Sequence, residues 1–273
     1  MNIHLTRWTS TGNTFFILDL NDFPFEKIER PNLVKNLCQN IVGFQTDGFI
    51  FISYLKNNLD QKNKLKSEEP LEASWDFYNS DGSPADMCGN AARAVALFFE
   101  KFYNQNKIKL KTQIGNVDLQ SKKDQAPSAS WDLGHLGGKW DQVLSWNQIS
   151  IEFDFLNTGV PHVVVESDPD YELAKHLRHD KEISMEGSNV TFVEHKAPGE
   201  LEAVTFERGV EDFTLSCGTG AVAAALWSKQ ISPELLVHTI FMPGGQLEVK
   251  FIDDTRIELK GMVTHDFSME VEV

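Results

Sequence analysis

Short apolar runs bounded by Gly, Asn and Asp dominate the chain. They read as strands: 14-TFFILDL-20, 48-GFIFISYL-55, 107-KIKLKT-112, 149-ISIEF-153, 163-VVVE-166, 190-VTFVE-194, 203-AVTFE-207, 247-LEVKFI-252 and 256-RIELKG-261. Four stretches predict helices instead, 32-NLVKNLCQNI-41, 90-NAARAVALFFEKF-102, 170-DYELAKHLRH-179 and 219-TGAVAAALWSKQ-230. The pattern is α+β with mostly antiparallel strands. The polar run 56-KNNLDQKNKLKSEEPLE-72 reads as a solvated loop, and 121-SKKDQAPSAS-130 as a turn or linker near the middle of the chain.

The chain also repeats itself. Laying 88-CGNAARAVALFF-99 over 217-CGTGAVAAALWS-228 aligns Cys, Gly, three Ala and Leu, and an aromatic follows each Leu. Each cysteine stands nine residues after a polar residue, Asn79 or Arg208, and a second offset pairs 11-TGN-13 with 158-TGV-160. Alanine-rich helices resemble one another by composition, but a Cys-Gly start does not arise that way. Two pseudo-symmetric halves are therefore expected. One comprises 1–120 plus about 262–273 and carries Cys88; the other comprises 121–261 and carries Cys217.

Composition adds limits. With 41% apolar and 24% charged residues over 273 positions, the chain has ordinary folded usage. A net charge of -15 disfavours nucleic acid as a partner, since the longest basic stretch, 101-KFYNQNKIKLK-111, is interrupted by apolar residues. No run approaches the ~18 apolar residues of a membrane span, and the start MNIHLTRWTSTGN lacks the pattern of a secretion signal, so a cytoplasmic location is expected. Three widely spaced cysteines make neither a disulfide framework nor a zinc site with paired ligands. Cys38, inside an amphipathic helix pattern, reads as core, and the pair 176-HLRH-179 reads as an exposed helix face.

A Cys-Gly at a helix start supports specific chemistry. The first N–H groups of a helix lack internal partners and carry partial positive charge, so they hold a carboxylate. Gly89 and Gly218 permit close approach of a ligand, and Asn90 and Thr219 add polar side chains. The same helix end favours a thiolate, which makes the cysteine a base near neutrality. Two such thiols acting on opposite faces of one carboxylate-bearing carbon would remove and return the α-proton and invert the centre. The sequence shows no pyridoxal-phosphate lysine context, no H-E-x-x-H pair and no P-loop, so no cofactor and no metal are expected.

The segments 79-NSDGSPADMCGNAAR-93, 207-ERGVEDFTLSCGTGA-221 and 10-STGNTFFILD-19 resemble the signature segments of the diaminopimelate epimerase family, and 157-NTGVPH-162 is close to a fourth. The likeness spans nearly the whole chain. It implies two pseudo-symmetric domains, each a barrel-like antiparallel sheet around a central helix, with the active site in the cleft between them. It further implies a cofactor-independent isomerase that interconverts LL- and meso-diaminopimelate on the route to lysine and peptidoglycan. Carried over by position, Cys88 and Cys217 are the catalytic thiols. Asn13, Asn79, Gly89, Asn90, Asn189, Glu207, Arg208, Gly218 and Thr219 bind the substrate. His162 and Glu207 tune the thiols, and the partner implied is a second copy of the chain, with Phe267 at the dimer contact where relatives often carry tyrosine. One departure stands out: Val160 replaces an asparagine that grips the distal end of the substrate. An alternative is therefore a related two-cysteine racemase acting on a different amino acid.

Overall fold

The computed structural model describes residues 2–21, 29–40, 45–54, 69–134 and 138–273. Residues 56–68 of the expected polar loop, Leu55 at the end of one expected strand and Ile41 at the end of one expected helix lie outside the described residues. The chain divides into two compact units, Met1–Ser130 with Lys260–Val273, and Trp131–Leu259.

The first unit contains β1 (Asn2–Ser10), β2 (Asn13–Asp19), α1 (Arg30–Asn40), β3 (Gly48–Tyr54), β4 (Leu71–Asn79), α2 (Gly89–Tyr103), β5 (Lys107–Thr112), β6 (Gly115–Gln120) and most of β7 (Ser128–Asp132). The second continues with β8 (Gly138–Trp146), β9 (Ile149–Asn157), β10 (Pro161–Glu166), α3 (Tyr171–His179), β11 (Asn189–Ala197), β12 (Glu200–Glu207), β13 (Asp212–Thr214), α4 (Gly218–Ile231), β14 (Val237–Met242) and β15 (Gly245–Phe251). Strand β16 (Arg256–Gly261) crosses the second divide, and β17 (Val263–Glu272) belongs to the first unit.

One pairing scheme serves both units. In the first, β17–β1–β2 run antiparallel, β2–β3 parallel, β3–β4 antiparallel, β4–β5 parallel and β5–β6 antiparallel. In the second, β8–β9–β10 run antiparallel, β10–β11 parallel, β11–β12 antiparallel, β12–β14 parallel and β14–β15 antiparallel. The parallel pairs refine the antiparallel expectation. They arise because each pair is joined by a helix, which returns the chain to the same end of the sheet.

In each unit the second helix is central. α2 packs against β1, β2, β5, β6 and β17, and α4 against β9, β10, β11, β12, β14 and β15. Every residue from Gly89 to Ala96 and from Gly218 to Ser228 is buried, as expected for a helix apolar on all sides and wrapped by strands. The other helices lie on the strands: Val34 and Leu37 of α1 join Phe16, Leu18, Phe49 and Phe51 in one cluster, while Leu173, Ala174 and Leu177 of α3 join Val163, Val165 and Phe192. Strands β2 and β3 are buried on both faces, which explains their continuous apolar runs.

Two expected loops are partly strand. Leu71, placed at the end of the polar loop, opens β4, where it is fully buried opposite Ile108. Ser128 and Ser130, read as linker, pair with Gln120 and Asp118 and are buried, so the segment closes the first unit ten residues past the expected 120/121 division.

Candidate active site

Each central helix begins at a cysteine. Cys88 and Cys217 are the N-cap residues of α2 and α4, in extended backbone conformation, and each sulfur accepts a hydrogen bond from the third helical amide. The distances are 3.5 Å from the Ala91 N–H to Cys88 Sγ and 3.3 Å from the Gly220 N–H to Cys217 Sγ. Capping in this way leaves the first two amides, of Gly89 and Asn90 or of Gly218 and Thr219, ahead of the intrahelical ladder, where an anion is favoured.

In the first unit a two-residue turn joins β1 to β2, with Thr11 at φ 47 and Gly12 at φ 90. Both central residues of such a hairpin need positive φ, which glycine adopts freely and a β-branched threonine does not. Thr11 is held there by a 3.2 Å bond from its N–H to the Met262 carbonyl. The turn delivers Asn13 to Asn90, whose Nδ2 donates to Asn13 Oδ1. Behind this pair lies Arg93, fully buried one turn into α2. Its Nη2 donates to Asn90 Oδ1, and its Nη1 to Thr11 Oγ1 at 3.1 Å.

The second unit builds a different environment from the same topology. His162 on β10 is fully buried, with Nδ1 3.0 Å from Thr191 Oγ1 and Nε2 3.0 Å from Thr219 Oγ1. The Thr219 hydroxyl lies 3.4 Å from Cys217 Sγ, which completes a chain from imidazole to thiol. Its direction follows from Asn189. The Arg208 N–H donates to Asn189 Oδ1 at 2.9 Å, and Asn189 Nδ2 donates to the Pro161 carbonyl at 3.2 Å. The amide orientation is thereby fixed, and its Nδ2 faces His162 Nε2 at 3.4 Å. Nε2 is then the acceptor and Nδ1 carries the proton. Burial, with Arg208 as a second cause, holds the imidazole down to about 3, so it is neutral near neutrality. The imidazole thus accepts from the Thr219 hydroxyl, whose oxygen is left facing the Cys217 thiol.

The structure thus brings Cys88, Gly89, Asn90 and Asn13 together in the first unit, and Cys217, Gly218, Thr219, His162, Asn189 and the Arg208 backbone in the second. Glu207 accepts from Thr214 Oγ1 at 2.6 Å beside this group. The Arg208 side chain is 3.9 Å from the exposed Glu186 carboxylate. Asn79 ends β4 and donates to Ser83 Oγ at 3.0 Å. The Val160 side chain is half-buried, and its carbonyl accepts from the Thr158 N–H at 3.1 Å. Phe267 packs on the core of the first unit beneath Arg7, 6.0 Å from ring centre to guanidinium. Cys38 is in that core too, and burial pushes its thiol up to about 11. Sequence reasoning missed two residues. Arg93 was visible as the one charged letter in the apolar run 91–99, and Gly220 had no sequence signal. A Cβ on Gly220 would stand 2.3 Å from Thr205 Oγ1 and 3.1 Å from the Cys217 Cβ, so only glycine lets α4 start this close to β12.

The fold is two units of one topology, each with a central helix capped by a cysteine. Solved structures agree. A Bacillus anthracis protein of the PhzF phenazine biosynthesis family matches with a TM-score of 0.73 at 11% identity, covering 100% of both chains. A hydroxyproline epimerase from Agrobacterium vitis matches at 0.64 with 14% identity, covering 99% of this chain and 91% of that one. Sequence places the chain more narrowly. The diaminopimelate epimerase family model matches residues 7–136 and 155–265. Among relatives, the diaminopimelate epimerase of Hydrogenobaculum sp. is 30% identical over 96% of each chain. That of Flavobacterium psychrophilum is 31% identical over 94% of this chain and 95% of its own. The chain belongs to the diaminopimelate epimerase family and is an isomerase. Among the described residues, no helix is long and apolar enough to cross a membrane.

Proposed function

We propose that the protein interconverts LL- and meso-diaminopimelate without a cofactor, with Cys88 and Cys217 as its acid/base thiols. The observation that carries this reading is the pair of cysteine sulfurs at the N-caps of the two central helices, beside polar groups suited to an amino acid. One thiolate removes the α-proton as the other thiol supplies a proton to the opposite face. The first amides of α2 and α4, with Asn90 and Thr219, hydrogen-bond the carboxylate as negative charge develops. Glu207 suits the distal ammonium and Arg208 the distal carboxylate. The same reading includes a homodimer, which sedimentation tests.

Incubation with LL-diaminopimelate in deuterium oxide, without pyridoxal phosphate and under reducing conditions, should give α-deuteration and the meso isomer. Cys88→Ala and Cys217→Ala should each abolish conversion, whereas Cys38→Ala should retain it. Full activity in either site variant would exclude the two-thiol mechanism. Val160 favours a second reading, a racemase with another substrate, because its side chain offers no hydrogen bond at a position where relatives use asparagine. Other amino acids run in parallel would reveal it by faster α-exchange than diaminopimelate.

A further inference from the structure

The geometry points to Arg93 as the positioning residue of the first unit: it fixes the amides of Asn90 and Asn13 and backs Cys88 with a buried positive charge. The part that concerns Asn90 and Asn13 rests on the function proposed above; the part that concerns Cys88 does not.

Arginine can only donate. Because Arg93 Nη2 donates to Asn90, that amide must present its oxygen inward, which leaves its Nδ2 to donate to Asn13 Oδ1. Asn13 is in turn left with Nδ2 as its outward group, a donor of the kind that a carboxylate requires. One buried cation therefore sets the orientation of two successive side-chain amides. Thr11, held at its unfavourable positive φ, completes the cradle by accepting from Nη1 and lying 3.4 Å from the Met262 carbonyl.

The charge needs a counterpart. A guanidinium taken fully out of water is costly unless an anion or a full set of hydrogen bonds compensates it. Among the described residues no carboxylate pairs with Arg93, and its Nε has no hydrogen-bond partner. Cys88 caps the same helix five residues earlier, where its thiolate would supply the compensating charge. That attraction is mutual, so an Arg93 cation favours the Cys88 thiolate. Burial lowers the guanidinium to about 9, with the Cys88 charge opposing the shift, and it remains a cation at neutral pH. The second unit carries Val222 at the matching position of α4.

Peptide-resolved alkylation by iodoacetamide across pH tests this without substrate. Wild-type Cys88 should show a midpoint below the ~8.5 of an ordinary thiol. Arg93→Gln, which keeps a donor for Asn90 and loses the charge, should raise that midpoint by about one pH unit or more, slowing Cys88 alkylation near neutrality ~10-fold. Cys217 in the same sample should be unmoved. Arg93→Met, which loses both, should also raise KM for α-exchange as the two amides lose their fixed orientation. The proposal is overturned by a wild-type Cys88 midpoint at or above the ordinary value, a measurement that needs no variant to fold. It is equally overturned if Arg93→Gln leaves Cys88 unchanged or moves Cys217 as far. Should diaminopimelate fail to exchange in the wild type, the function is refuted while the alkylation profile still decides the role of the charge.

Discussion

His162→Phe places in the second unit the residue that the first unit carries at the matching position, Phe15, and should make the protein more resistant to acid. Folded His162 is held at about 3 by burial and by Arg208, against about 6.5 in the unfolded chain. The unfolded state therefore takes up a proton that the folded state refuses. Stability is full above the unfolded value and is lost as pH falls through the window toward about 3, at about 1.4 kcal/mol per pH unit. By about pH 5 the loss reaches ~2 kcal/mol, a sizeable share of the ~5–15 kcal/mol that holds a typical domain. The assay is urea unfolding followed by tryptophan fluorescence, near pH 7 and near pH 5, on both proteins. His238, whose pKa burial also lowers, contributes equally to each and cancels. The variant should lose ~2 kcal/mol less than the wild type over this interval. Equal losses would show that His162 is not a neutral buried base and would remove the direction assigned to the Cys217–Thr219–His162 chain.

Thr219→Val removes the hydroxyl that joins His162 to Cys217 and should lower kcat at least ~10-fold, measured by α-proton exchange; an unchanged kcat would exclude a role for this hydroxyl in orienting the thiol. Gly220→Ala forces a methyl to 2.3 Å from Thr205 Oγ1 and should cost on the order of 1–3 kcal/mol in thermal unfolding while shifting the Cys217 cap, so an unperturbed melting curve would refute the close approach. Asp19→Asn weakens the carboxylate that accepts from both Tyr54 and Tyr103 near the end of α2, and a loss of about 2 kcal/mol in urea unfolding is expected.

Helices α2 and α4 and strands β2 and β3 were legible because they are buried on all or both sides, whereas α1, α3 and strands such as β5 were read from the alternation of apolar and polar positions. The cysteines were legible as helix caps because a repeated Cys-Gly before an alanine run has few other uses. Strand β17, whose burial alternates along 263–272, was not legible: charged and polar residues fill its exposed positions. Strand β1 escaped for a related reason, since its inward positions include Thr6 and Ser10. The parallel pairings and the Asn13–Asn90 bond join residues far apart in the chain, and periodicity within a short window carries no information on such partners. Arg93 was overlooked because a lone charge in a helix is ordinarily solvated. Only the wall of strands around α2 makes it a buried one.

The shared topology of the two units leaves the surroundings of each cysteine to its side chains. Two identical units would surround both sulfurs alike. Here one unit carries arginine where the other carries valine, and one histidine where the other carries phenylalanine. The environment of each cysteine can therefore be altered by substitution within its own unit.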